Sequence, residues 1–268
     1  MSVFTAIILG VVQGLTEFLP VSSSGHLVLL QKIFGISEPA LFFDTMVHAG
    51  TLAAVVVVLW KDIWAILRKI VQPLTAYLIL ATVPAVIFAL LFKKNIEAAF
   101  ESGRFLGPAF LLTAALLVAA ELLSRQAGKR GEFKKMNWFD ALVIGLLQAA
   151  AIAPGLSRSG ATISGALFRK LDRDFAARFS FMLSIPAILG ALVLQLWDLA
   201  KGAESAGASG IGAAAIIAGT LSAAAVGFFA VRLMLKIIRE RSLFGFAVYT
   251  GVLGLLVLVD QYITRLVF

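Results

Sequence analysis

The strongest constraint on this chain is a series of apolar runs, each about as long as the roughly 20 residues a helix needs to cross a bilayer. They fall at 41–60, 74–92, 105–124, 178–198, 211–231 and 243–266. Two further apolar stretches, 1–32 and 138–168, are interrupted near their centres by Pro, Gly and Ser. Neither half of such a stretch can span alone. Each therefore reads as a helix, a break and a returning helix, with the broken backbone enclosed by protein or facing a water-filled cavity. The expected fold is an all-α integral membrane protein with six transmembrane helices plus two re-entrant helical hairpins. Composition agrees: only 14% of residues are charged, against about 25% in soluble domains.

Loop charges set the expected orientation. The basic loops are 61–69, 125–135, 169–178 and 232–241, which places them in the cytoplasm. The segments 31–40, 93–104 and 199–210 balance their cations with Glu38, Glu97, Glu101 and Glu204 and should face out. Because the 23 Lys and Arg cluster between apolar runs, the net charge of +8 reflects topology and argues against nucleic acid as a partner. The absence of Cys excludes disulfides and thiolate metal sites. The first residues lack a basic region before the apolar run, so a removable signal peptide is not expected. With these orientations the first hairpin enters from outside and the second from the cytoplasm, an inverted-topology repeat. A constant offset of 135 pairs Gly10 with Gly145, Gln13 with Gln148, Ser22 with Ser157, Ser24 with Ser159 and Gly25 with Gly160. Repeat one covers about 1–130 and repeat two about 135–268; no linker divides them, so 1–268 reads as a single domain. Small residues within 206–227 (Gly207, Gly210, Gly212, Gly219, Gly227) allow close helix contact within one chain or between two, which leaves a homodimer open.

Polar chemistry concentrates at the two breaks. Gln13 and Glu17 are four apart and share a helix face, where the carboxylate and the amide oxygen could hold one hard cation. After Pro20, the turn Val21-Ser22-Ser23-Ser24-Gly25-His26 offers three hydroxyls, an imidazole and the N–H groups that open a returning helix, all suited to a phosphate group. The serines alone would suit helix packing; with Glu17 and His26 beside them the site reading is favoured. In the second break, Ser157, Ser159, Gly160 and Thr162 repeat the pattern around Arg158, whose planar fork suits phosphate oxygens. An ion pair between Arg158 and Glu17 is the competing arrangement. Asp44 and His48, also four apart, could line the same cavity, whereas Glu121, Asp140 and Asp198 sit near expected helix ends as interfacial or capping residues. A cation, a phosphate-bearing substrate, a nucleophile and a proton carrier together point to phosphoryl transfer.

The stretches QGLTEFLPVSSSGH (13–26) and PGLSRSGAT (154–162) resemble the two motif blocks of the undecaprenyl-diphosphate phosphatase, or bacitracin-resistance, family, and the resemblance covers essentially the whole chain. It implies a bacterial inner-membrane enzyme that hydrolyses C55 polyprenyl diphosphate to the monophosphate and inorganic phosphate, recycling the lipid carrier of cell-wall synthesis. It implies a divalent cation, Mg or Ca, and a site toward the outer face. By the same likeness Gln13 and Glu17 form the first-block pair, Ser22, Ser23, Ser24 and His26 its turn, and Ser157, Arg158, Ser159 and Thr162 the second block. Ser23 would be the nucleophile and Arg158 the diphosphate clamp. Where this chain has Gln13, many relatives carry Glu, which leaves Glu17 as the sole carboxylate of the pair. Arg178 also stands where some relatives carry Glu, and from a cytoplasmic position it should not touch the chemistry. The other class these features suit is a transporter or flippase, since broken helices in inverted repeats also build translocation pathways.

Overall fold

The computed structural model describes residues 1–36, 40–201 and 211–268. In chain order, α1 (Val3–Thr16) and α2 (Ser23–Ile33) precede α3 (Leu41–Val58), α4 (Trp60–Arg68), α5 (Pro73–Leu91), α6 (Lys93–Ser102) and α7 (Leu106–Arg130). Then α8 (Trp138–Ala150) and α9 (Arg158–Phe168) precede α10 (Arg173–Ala200), α11 (Ala213–Glu240) and α12 (Phe244–Val259), which a π-helical turn, Asp260–Thr264, continues. Six of these helices are long and apolar enough to cross a membrane. All regular structure among the described residues is helical, and the chain is a multi-pass membrane protein. Glu38, Glu204, Gly207 and Gly210, invoked above, lie outside the described residues.

Two segments expected as loops are short helices. In α4, Trp60, Ile63, Trp64 and Leu67 recur at helical spacing and leave Lys61, Asp62 and Arg68 on the other side. Trp60 and Trp64 stack at 5.7 Å and are half exposed, as suits a helix lying at a membrane interface. In α6, Ile96 and Phe100 stand one turn apart, and the helix stops at Gly103, whose φ of +64° a side chain would resist. Tertiary context also lengthens α7 and α11 past their apolar runs into the basic stretches, where the ends are solvated rather than broken.

The hairpin helices pack on spans from the opposite half of the chain: α1 lies on α11 and α8 on α5. The positions matched by the offset of 135 make these contacts. A side chain at Gly10 would strike the backbone of Gly219, and one at Gly145 would meet Ala81 O at 2.6 Å. Gly219 and Gly227 are likewise occupied within the chain, against Ala6 and Ala54. Gly145→Ala should therefore force α8 off α5 at a cost of about 1–3 kcal/mol, typical of overpacking. A drop in the detergent unfolding midpoint checks it, and an unchanged midpoint would refute the close approach.

The base of the second hairpin is tied by Asp140. Asn137 Oδ1 accepts from the Asp140 N–H while Asp140 Oδ2 accepts from the Asn137 N–H, each at 3.0 Å, a reciprocal cap. Lys134 Nζ and Arg169 Nε, from either side of the hairpin, both reach the Asp140 carboxylate at 2.7 Å. Desolvation opposes the charge, but the hydrogen bonds from Lys134, Arg169 and the Asn137 N–H outweigh it and hold the carboxyl below its usual range. Asp140 thus caps as expected. Glu121 does not: it is buried inside α7, where it takes Arg125 Nε at 2.6 Å, Arg173 Nη1 at 2.9 Å and the Leu243 N–H at 3.1 Å. Arg178 joins Asp174 (2.9 Å) and Asp62 (3.0 Å), linking α10 to α4.

Candidate functional site

Where the two breaks meet, a cavity of about 280 Å³ is lined by Glu17, Ser22, Ser23 and Ser24 from the first hairpin and by Ser157, Arg158 and Ser159 from the second. Asp44 and His48 of α3, Phe100 of α6, and Ala187 and Ile188 of α10 complete the wall. The local sequence explains the convergence. Ser22 and Ser157 are the N-caps of α2 and α9, accepting from the Gly25 N–H at 3.2 Å and the Gly160 N–H at 3.0 Å. Both helices therefore present their N-terminal turns, the positive end of the helix dipole, to one space.

Glu17 is the hub. Its Oε2 accepts from Ser23 Oγ at 2.6 Å and from Gln13 Nε2 at 2.9 Å, and its Oε1 accepts from Arg158 Nη2. His48 Nε2 stands 3.4 Å from Oε2. His48 Nδ1 donates to Asp44 O at 2.6 Å, which leaves Nε2 turned toward Glu17. Asp44 in turn accepts from Gln31 Nε2 at 2.7 Å. The Arg158–Glu17 ion pair weighed against a phosphate contact in the sequence is thus the arrangement present. Arg158 Nη1 is anchored to Ser180 O at 3.3 Å.

Other sequence-derived residues shape the walls. Ser159 Oγ donates to Leu19 O at 3.0 Å and so ties the second break to the first. Thr162 does not line the cavity; it bonds Arg158 O at 2.9 Å and Ser180 Oγ at 2.6 Å beneath the arginine. Gly25 and Gly160 allow close approach, since a side chain at Gly25 would meet the Phe110 ring at 2.6 Å.

His26 is also absent from the cavity wall. Its Nδ1 donates to Ser22 O at 2.6 Å, so Nε2 accepts the Tyr249 hydroxyl at 2.7 Å, and the two rings stack at 5.7 Å. The bond matters because Ser22 has φ +70°, a left-handed conformation that non-glycine residues adopt at a cost of about 1–3 kcal/mol. His26, braced by α12, holds the turn that aims Ser23. Tyr249→Phe, which removes only the brace's hydroxyl, should lower kcat several-fold with little change in KM. A parental kcat would show that His26 needs no support.

Tyr249, Ser180, Gln31 and Thr113, whose hydroxyl accepts the Ser157 N–H at 3.1 Å, were not singled out from sequence. Each lies in a mainly apolar stretch, and only a polar partner distant in the chain, up to 223 positions away for Tyr249 and His26, gives it meaning.

Together the fold and the site define a multi-pass membrane protein whose buried carboxylate, hydroxyl and guanidinium face an anion-directed cavity between two broken helices. Within that class the chain belongs to one family: residues 6–256 match the family described as Bacitracin resistance protein BacA. It is 48% identical to an undecaprenyl-diphosphatase of Carboxydothermus hydrogenoformans over 97% of this chain and 98% of that protein. It is 45% identical to undecaprenyl-diphosphatase 3 of Bacillus cereus, over 96% of each chain. An undecaprenyl-diphosphatase of Alkaliphilus metalliredigens is 40% identical over 96% of this chain and 98% of its own.

Proposed function

We propose that this chain is an undecaprenyl-diphosphatase, hydrolysing the C55 polyprenyl diphosphate to undecaprenyl phosphate and inorganic phosphate and so recycling the lipid carrier of cell-wall synthesis. The observation that carries this reading is the Glu17 carboxylate, which holds the Ser23 hydroxyl at 2.6 Å and the Arg158 guanidinium at once. The terminal phosphate lies among the N-terminal turns of α2 and α9, with Arg158 shifting from Glu17 onto its oxygens. Ser23 Oγ attacks phosphorus as its proton passes to Glu17, and the bond to the bridging oxygen breaks, releasing undecaprenyl phosphate. Glu17 hands that proton to the departing phosphate oxygen; water then attacks the phosphoserine, giving a proton to Glu17, which returns it to Ser23 Oγ as inorganic phosphate leaves. His26 acts as a positioning residue for Ser22 and Ser23.

A divalent cation, Mg or Ca, fits the donors. Gln13 Oε1 is buried without a hydrogen-bond partner while Nε2 of the same amide donates to Glu17 Oε2, so turning the amide over would give a hard-oxygen pair. No cluster of three or more His, Asp or Glu exists among the described residues to hold a metal unaided, so Gln13 and Glu17 would hold it together with substrate oxygens. When bound, the cation supplies positive charge against the diphosphate. Chelator should remove most turnover and added Mg or Ca restore it, read by phosphate release.

The basic loops lie in the cytoplasm of a bacterial cell and the protein in the inner membrane, with the two hairpins re-entrant in an inverted repeat and the cavity toward the outer side. The direct test is phosphate release from farnesyl and C55 diphosphates by the purified chain and by Ser23→Ala. Release by the parent with a trapped phosphoserine supports the reading, and parental turnover by Ser23→Ala overturns it. The crossed packing of α1 on α11 and α8 on α5 favours a second reading, a transporter or flippase for the phosphate-bearing lipid. Liposome flux of uncleaved lipid without phosphate release would select it.

A further inference from the structure

A second cavity, of about 370 Å³, forms where three distant segments meet: the end of α2, the turn between α6 and α7, and the tail after α12. Its lining is Lys32, Ser102, Arg104, Gln261, Tyr262 and Phe268, none of which lines the cavity at Glu17. The tail is fixed in place. Gln261 Nε2 donates to Gly103 O at 2.9 Å, and Lys32 Nζ lies 5.1 Å from the centroid of the Phe268 ring. Asp260 spends its carboxylate on the tail backbone, accepting from the N–H groups of Leu266 (2.9 Å), Val267 (3.1 Å) and Phe268 (3.1 Å). Lys32 and Arg104 have no carboxylate partner among the described residues.

Two uncompensated cations, an amide and a hydroxyl around one concavity call for an oxyanion. Phe105 and Ile263, neighbours in sequence of the lining residues Arg104 and Tyr262, are exposed apolar side chains, as is Leu266 in the tail. A ligand here carries its phosphate on a hydrocarbon tail. We propose that this cavity is a binding site for the phosphate headgroup of a membrane lipid, separate from the cavity at Glu17 and joined to it through α2 and α6, which line both. Lys32 and Arg104 contact the phosphate oxygens, and the tail lies along the Phe105 and Leu266 side. The assignment stands whether or not the Glu17 cavity is catalytic.

The shared chemistry is a phosphate group; its sources are a prenyl phosphate, an anionic phospholipid or free phosphate. The full chain carrying Arg158→Ala, which disables phosphate capture at the first cavity, is held in dodecyl maltoside micelles, which carry no phosphate. It is titrated calorimetrically with geranyl phosphate, short-chain phosphatidylglycerol and inorganic phosphate. The expected result is saturable binding of at least one lipid phosphate, weakened about tenfold or more by Lys32→Gln with Arg104→Gln. Binding of geranyl phosphate alone assigns the site to prenyl phosphates, and binding of both lipids assigns it to phospholipids as well. The single substitutions, each weakening binding several-fold, serve if the double variant does not fold. No saturable lipid binding, binding that survives the substitutions, or inorganic phosphate binding as tightly as the lipids would overturn the proposal.

Discussion

Glu17→Gln is expected to lower kcat for phosphate release by about a thousandfold, within the range for losing a general base. The substitution keeps size and burial, so packing against Phe18 and the hairpin is preserved. What it removes is the acceptor geometry. Glu17 accepts on both oxygens, from Ser23 and Gln13 on one and from Arg158 on the other. An amide has one acceptor oxygen and one donor nitrogen, so it cannot accept from Arg158 and from Ser23 at once; with its oxygen toward Arg158 it can only donate to Ser23 Oγ. The Ser23 proton also loses its destination. Phosphate release from C55 diphosphate in detergent, read beside the unfolding midpoint, is the measurement. Turnover within about tenfold of the parent would remove Glu17 from the proton path.

The spans were legible in the sequence because a bilayer demands a length and a hydropathy that few other contexts do, and their starts fall close to the helices observed. The short α4 and α6 were not, because nine or ten residues with mixed charge resemble a loop until the positions of Trp60, Trp64, Ile96 and Phe100 are set on a helical wheel. Glu121 was misplaced for a similar reason. Its polar partners Arg173 and Leu243 come from other elements, and a single carboxylate close to the end of an apolar run looks the same whether it meets solvent or two arginines.

At the cavity, the sequence supplied Glu17, the serines and Arg158 but neither their supports nor the directions in which they point. Hydroxyls, carboxylate and guanidinium at two breaks of an apolar chain are informative because such groups are costly in membranes. Spacing alone could not show that His26 turns away from Glu17 toward Tyr249, while His48 turns toward it. That difference rests on α3 and α12, whose neighbours in the fold are hundreds of positions apart in some cases. The paired N-caps at Ser22 and Ser157 fall at positions matched by the offset of 135, although the backbone there differs, φ +70° against −69°.

Arg158→Ala should cost still more than Glu17→Gln, about ten-thousandfold in kcat/KM. One part is the loss of charge-assisted hydrogen bonds to the bound phosphate, and another is the loss of charge stabilisation in the transition state, which alone is typically about a hundredfold to a thousandfold in kcat. The same change leaves the Glu17 carboxylate without its guanidinium. Removing one partner of a buried ion pair costs about 3–5 kcal/mol; Arg158 retains 16% exposure, so the lower end applies. These two consequences separate catalysis from structure. If Arg158 serves only to neutralise Glu17, the pair Glu17→Gln with Arg158→Ala restores stability and leaves no further loss beyond Glu17→Gln alone, and Arg158→Lys stays active. If Arg158 clamps the diphosphate, the double variant regains stability but remains inactive. Arg158→Lys is then also impaired, because a point charge cannot span Glu17 and Ser180 O as the guanidinium fork does. Unfolding midpoints and phosphate release on the same four preparations decide between them, and recovery of turnover in Arg158→Lys is the result that would dismiss the clamp.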